Sequence, residues 1–218
     1  MSGLDQTVEL FCGSKPFSKV ASALGYATFT VDRDASLNPD LVASVGQIQP
    51  GKIPAAPLIV WAAPPGNPVF HSKANWEADG SFYPRNEDAE QALNLFRETV
   101  GLITQLKPTW WFIENPKSLL RKMPVVAGFN RGYPSRTRQT LNHGDYGGSR
   151  KQQSDIWTNA YWWTPKPMDS EDETKPHGGQ GFTADPADAS SRLPPYAYAE
   201  MLDHFDRYRR WKDAEAGR

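Results

Sequence analysis

The sequence predicts an α/β fold with a mainly parallel sheet and helices on both faces. Three observations predict it. Residues 7–32 read strand, glycine turn, helix, strand, acid, the βαβ order. Residues 58–66, LIVWAAPPG, form an apolar run short enough for a buried strand, and it stops abruptly. Residues 87–113 continue with a long amphipathic helix and a further apolar strand, the alternation of a parallel sheet.

Each element follows from its residues. TVELF (7–11) is the first strand, and Cys12-Gly13-Ser14-Lys15-Pro16-Phe17 is the turn after it. Ser18 is a candidate cap for a helix to about Leu24, which Gly25 stops as the residue past its end. ATFTV (27–31) is the second strand and ends at Asp32-Arg33-Asp34. A glycine turn lets backbone N–H groups approach a ligand, and an acid ending the second strand can accept ribose hydroxyls. With one glycine the turn matches GxGxxG poorly, which argues against a dinucleotide and for a smaller adenosine ligand.

Residues 38–57 read as loop with at most one short element. In the central run Pro64-Pro65 ends the strand because neither proline has an N–H to continue a ladder. Gly66 then permits close backbone approach. Such a rim at a sheet's carboxyl edge is where open α/β sheets bind ligands. Residues 67–86 read as a long polar and aromatic loop. In 87–106, Ala89, Ala92, Leu93, Phe96, Val100, Ile103 and Leu106 keep helical spacing. TWWFI (109–113) is the next strand, ending at Glu114-Asn115-Pro116; residues 138–141 and 155–159 are short strand candidates, and 193–208 a closing amphipathic helix. Trp110 and Trp111 read as packing residues, and His71 and His143 as solvated loop histidines.

Composition bounds the partners. The 218 residues, formal net charge −1, suit one domain with a real core, taken as 1–218. Lys117, Arg121, Lys122, Arg131, Arg136, Arg138, Arg150 and Lys151 form a basic block containing one acid, Asp145. That block is a solvated face or a phosphate-binding one. The single Cys12 excludes intramolecular disulfides and cysteine zinc clusters, and no spacing of histidines suggests a metal. No run approaches the roughly 20 apolar residues of a membrane span, so a soluble, cytoplasmic protein is expected.

Taken in order, these motifs make the chain resemble the DNA cytosine-5 methyltransferases, in particular their compact phage members. The stretches are Val8-Glu9-Leu10-Phe11-Cys12-Gly13, Asp32-Arg33, Trp61 to Pro65, Glu114-Asn115-Pro116, and Asp145 to Arg150 followed by Ser154 to Asn159. The resemblance implies a Rossmann-like S-adenosylmethionine-dependent methyltransferase fold, a phage source and hence the host cytoplasm. It implies a cofactor site of Glu9, Phe11, Cys12, Gly13, Asp32, Arg33 and Pro64, with S-adenosylmethionine or a derivative as the cofactor. It implies substrate contacts at Pro65, Asn115 and Asp145, and catalytic positions at Glu114, Arg150 and Gly66, the last being where the family has its cysteine. The region of about 117–181 would be a reduced recognition region, and the partner DNA, double- or single-stranded, or a pyrimidine nucleotide.

The departures bear on chemistry. Cytosine C5 is a poor nucleophile, and the family activates it by adding a cysteine thiolate to C6; here Gly66 follows Pro64-Pro65. Cys12 sits in the cofactor turn, at a position often cysteine in the family. Phe70 lies four residues after Gly66 rather than three, Asp145 replaces a Gln, Gln152 a Lys, and Ser44 the acid expected near the adenine. The rim also matches poorly the Pro-Pro-aromatic loop of amino-methylating enzymes, because Ala63 and Gly66 take its outer positions. Three functions remain open: a pyrimidine-modifying enzyme working through Glu114 and Arg150 without a cysteine, an inactive homologue that binds a flipped pyrimidine, and a small-molecule or nucleotide enzyme on the same scaffold.

Overall fold

A computed structural model describes residues 5–127, 138–148, 152–166 and 193–217. One seven-stranded sheet runs through them in the order β3-β2-β1-β4-β5-β7-β6. Its strands are β1 (Gln6–Leu10), β2 (Ala27–Asp32), β3 (Leu41–Val42), β4 (Ile59–Ala62), β5 (Trp110–Pro116), β6 (Arg138–Asn142) and β7 (Gln153–Thr158). The pairs from β3 across to β5 are parallel, and β7 runs antiparallel to both β5 and β6. The chain starts at β1, builds out to β3, then returns to β4 on β1's other side. The topological switch point therefore lies between β1 and β4.

Side-chain alternation along the strands makes two cores. Val8, Leu10, Val60, Ala62, Ile113 and Trp157 face one side, where α3 (Glu87–Leu106) packs. Ile59, Trp61, Phe112 and Ile156 face the other, beneath α1 (Pro16–Ala23) and α5 (Pro195–Ala216). Trp61 holds the second core together. Its ring stacks between Phe17 of α1 at 5.7 Å and Phe112 of β5 at 5.9 Å, and meets Tyr198 of α5 edge-on at 5.0 Å. This is the predicted Rossmann-like arrangement, a mainly parallel sheet with helices on both faces.

Several expectations are refined. The long helix has the predicted bounds, with Asn86 capping it through a bond from the Ala89 N–H. Gly25 is the residue past α1, at φ +90°, and the Gly25 and Tyr26 amides bond back to Ser22 and Ala21. Ser18 is not the cap: α1 begins two residues earlier at Pro16, and Ser18 lies buried within its first turn. Proline supplies the helical φ and lacks one of the N–H groups a helix start leaves unpaired. Residues 67–86 are not a plain loop, because they contain α2 (Asn67–His71) and a 3-10 turn, Lys73–Asn75. β5 extends through Pro116 because β7 pairs with it that far. The closing helix runs past Tyr208 to Ala216, its last turns exposed. His143 is buried at 3% exposure, not solvated. A further α-helix among the described residues, α4 (Pro124–Ala127), is a single turn.

Candidate functional site

The carboxyl ends of β1, β2, β4 and β5 meet at the switch point, and the β1 turn is the most contorted of them. Phe11, Gly13 and Lys15 have φ of +58°, +47° and +63°, each in the left-handed region. The turn is held from three sides. The Cys12 N–H donates to the Val31 carbonyl at 3.0 Å, the Gly13 N–H to Asp32 Oδ2 at 2.9 Å, and the Lys15 N–H to the Cys12 carbonyl at 2.7 Å. Lys15 Nζ also bonds the Asn38 carbonyl.

Glu9 organises the start of α1. Its carboxylate, 2% exposed, accepts the N–H groups of Phe17 at 3.2 Å and Ser18 at 2.9 Å. With Pro16 lacking a donor and the Lys19 N–H bonded to the Lys15 carbonyl at 2.9 Å, the first turn is fully satisfied. A carboxylate also suits the positive helix end. The structure thus places the Glu9 carboxylate against the helix that carries the turn.

Asp32 ends β2 with Oδ2 on Gly13 and Oδ1 accepting the Asp34 N–H at 3.0 Å. Its plane is fixed, and each oxygen keeps acceptor capacity. Arg33 beside it is exposed. Ser14 Oγ is buried and has no hydrogen-bond partner among the described residues. Sequence alone does not single out Ser14, because a serine in a turn is common and its burial is tertiary.

Pro64 is buried and Pro65 exposed at the end of β4. The Asn115 side chain, 1% exposed, donates through Nδ2 to the Pro64 carbonyl at 3.1 Å. That bond ties the β4 rim to the end of β5 and gives Asn115 a positioning role. Glu114, 4% exposed, precedes it and lies opposite Ile156 in the ladder.

Asp145 follows β6, which points the same way as β5, so topology brings it to the same edge across β7. Asn142 Nδ2 reaches Asp145 Oδ1 at 3.4 Å, and the neighbouring Tyr146 is anchored to Glu200 of α5 at 2.7 Å. His143 bonds Ser154 Oγ through Nε2 at 2.8 Å, and burial pushes its pKa down to about 4. Arg150 lies outside the described residues, as do Arg131, Arg136, Lys151 and the acidic stretch around 169–188.

Where the basic block is described, much of it is engaged. Arg121 grips the fully buried Asp155 with Nε at 2.8 Å and with a second guanidinium nitrogen, which also bonds Thr140 Oγ1. Lys117 bonds Gln153. Asn159 pins the start of β5 by accepting the Trp111 N–H at 2.9 Å and donating to the Thr109 carbonyl at 3.0 Å. In 154–159, then, Asp155 and Asn159 serve the sheet.

Cys12 is fully buried, with Sγ 3.8 Å from the Gly13 carbonyl. Among the described residues no group of three or more His, Cys, Asp or Glu could hold a metal ion, and no helix is long and apolar enough to cross a membrane.

No protein-family model matches the chain, and no curated protein matches it. Among solved structures it is similar to a protein described as a DNA modification methyltransferase encoded within a prophage of E. coli. The two are 14% identical, the match covers 70% of this chain and 45% of that one, and the TM-score is 0.48. It is similar to a triple mutant of Spodoptera frugiperda DNMT2, at 16% identity, 75% and 55% coverage and TM-score 0.47. It is similar also to the Entamoeba histolytica methyltransferase EhMeth, at 13% identity, 72% and 53% coverage and TM-score 0.49. The chain spans about half the length of these structures.

Proposed function

We propose that the chain binds S-adenosylmethionine, or a derivative of it, at the β1–β4 switch point and modifies cytosine or another pyrimidine of DNA without a cysteine nucleophile. The observation that carries this reading is the joining of two built half-sites at one sheet edge. One half is the left-handed turn 11–15 latched to Asp32; the other is Pro64 latched to Asn115 beside Glu114.

The turn fits the cofactor. It offers a buried, unpartnered Ser14 Oγ among the described residues and a carboxylate of fixed orientation in Asp32. Phe11, Cys12, Gly13, Asp32, Arg33 and Pro64 would surround the bound group, with Glu9 holding the turn from behind. The cofactor supplies a methyl carried on a sulfonium. Glu114 would hold the amino and N3 edge of the pyrimidine, Asn115 keeps the Pro64–Pro65 rim in place, Asp145 would border the substrate from the β6 side, and Arg150 is a further proposed catalytic residue. The chain is read as a single methyltransferase-like domain with a recognition region reduced to about 117–181, which suits single-stranded DNA or a nucleotide as well as duplex.

A second reading, an inactive homologue that holds a flipped pyrimidine, is favoured by the chemistry at two positions. Residue 66 is Gly, and the one thiol, Cys12, is fully buried. Base extrusion costs only a few kcal/mol, so such a module needs no catalysis. Incubation with DNA and S-adenosylmethionine, followed by mass spectrometry of the nucleosides, separates the two. A modified pyrimidine establishes the enzyme. Cofactor binding with unaltered DNA and salt-sensitive DNA affinity establishes the binding module, and salt-independent binding points to a small-molecule acceptor.

A further inference from the structure

Gly66 stands where the resembled family carries its cysteine, and the backbone determines where a side chain there would go. Its φ of +145° with ψ of 1° is a conformation L residues rarely adopt. A Cβ at this position would lie 2.7 Å from Phe70 Cε2, 3.1 Å from Phe70 Cδ2 and 3.6 Å from Ala92 Cβ of α3.

Phe70 has little room to yield. It is 1% exposed, its ring lies flat on Trp76 at 5.6 Å with a 4° interplanar angle, and its N–H bonds the Gly66 carbonyl at 3.0 Å. Trp76, 2% exposed, donates its indole N–H to the Val69 carbonyl at 3.3 Å, and Asn75 Nδ2 donates to the same oxygen at 3.0 Å. Asn75 in turn accepts from Asn86, the cap of α3, at 2.9 Å. The stretch after the rim is therefore tied through Asn75 to the cap of the long helix.

We propose that Gly66 is a conformational key of this rim, not a nucleophile position emptied by one substitution. Any L side chain at 66 is driven into the Phe70–Ala92 core and away from the cleft. At Gly66 the rim presents backbone alone to a ligand, which it positions without a covalent bond. Phe70 acts through Gly66 and is a positioning residue. This deepens the proposed function and rests on that reading only in naming a pyrimidine as the ligand.

The test uses the full chain and four variants, G66A, G66C, F70A and G66A/F70A. G66A is expected to lower Tm by about 5–15 °C, combining a left-handed non-glycine residue with overpacking. G66A/F70A should melt higher than the two single losses summed, because removing the ring frees the space for the new Cβ. In native G66C the introduced thiol should react with an aromatic disulfide reagent at least ~100-fold more slowly than in urea, protected by local structure, with wild-type Cys12 as the buried blank. If G66C does not fold, G66C/F70A carries the same labelling, its thiol lying in the space the ring vacates. A G66A melting point equal to wild type, additive losses, or an introduced thiol that labels at the unfolded rate in the native variant would each overturn the proposal. So would a covalent adduct between G66C and 5-fluorocytosine DNA in the presence of S-adenosylmethionine. Melting and labelling need no DNA, so failure of the pyrimidine reading leaves them intact and is told apart.

Discussion

Replacing Glu9 by Gln tests whether a buried carboxylate, rather than a serine cap, starts α1 and supports the turn. In the wild type two N–H groups, of Phe17 and Ser18, share the two carboxylate oxygens at 3.2 and 2.9 Å. Gln keeps one acceptor and places an NH2 where the other N–H points. The loss is one hydrogen bond to a charged group, about 1.5–3 kcal/mol, plus the carboxylate's attraction to the helix end, about 0.3–1 kcal/mol. Relief from burying a charge offsets part of this. A net loss of about 2 kcal/mol corresponds to a Tm decrease of roughly 4–8 °C for a chain of this size. Thermal melting by circular dichroism reads that shift, and amide exchange should show lost protection centred on Phe17 and Ser18. Unchanged Tm together with unchanged protection of α1 would refute the reasoning. So would an equal loss in a Ser18→Ala variant, since Ser18 Oγ makes no hydrogen bond among the described residues.

Three further outcomes follow from the same structure. R121M leaves Asp155, fully buried, without its charged partner, and should cost about 3–5 kcal/mol in urea unfolding, whereas R121M/D155L should recover most of it. A loss below about 1 kcal/mol in R121M would show that the pair contributes little. His143 has a native pKa near 4 against about 6.5 when unfolded. The unfolded chain therefore binds the extra proton between those values, and stability present above pH 6.5 is lost as pH falls toward 4. Between pH 7.5 and 5 the wild type should lose on the order of 2 kcal/mol more than H143Q, read from urea midpoints at each pH; parallel profiles would contradict the lowered native pKa. Truncating Trp61, which touches Phe17, Phe112 and Tyr198, should cost about 3–5 kcal/mol, and a smaller loss by calorimetry would mean the two helices are held by other contacts.

What sequence reveals and conceals here divides along the distance between interacting residues. The strand, glycine turn, helix, strand order of 7–32, the apolar run before Pro64 and the helical spacing of 87–106 are local patterns, and the elements they predict are present. So is the stop at Gly25, since a positive φ past a helix selects glycine. The start of α1 is legible as well, from Pro16 at a first helical position, but Ser18 offers a competing local signal. Glu9 cannot be recognised as the cap, because a bond from β1 to α1 depends on how the turn folds back. The Arg121–Asp155 clamp spans 34 residues, so Arg121 reads as part of a basic surface until the fold closes. The same holds for His143, which reads as a loop residue until β7 brings Ser154 against it. Most of all, the letter G at position 66 says that a thiol is missing; only its φ and the place of Phe70 say that a thiol would not fit.

The measurement that bears most directly on the cofactor site is isothermal titration of S-adenosylmethionine into the wild-type chain and into D32A. Saturable binding to the wild type, weakened at least ~10-fold by removing a carboxylate that accepts charge-assisted bonds, is the expected result. No binding to the wild type, or equal binding to both proteins, would contradict the assignment of the β1–β4 switch point as a cofactor site.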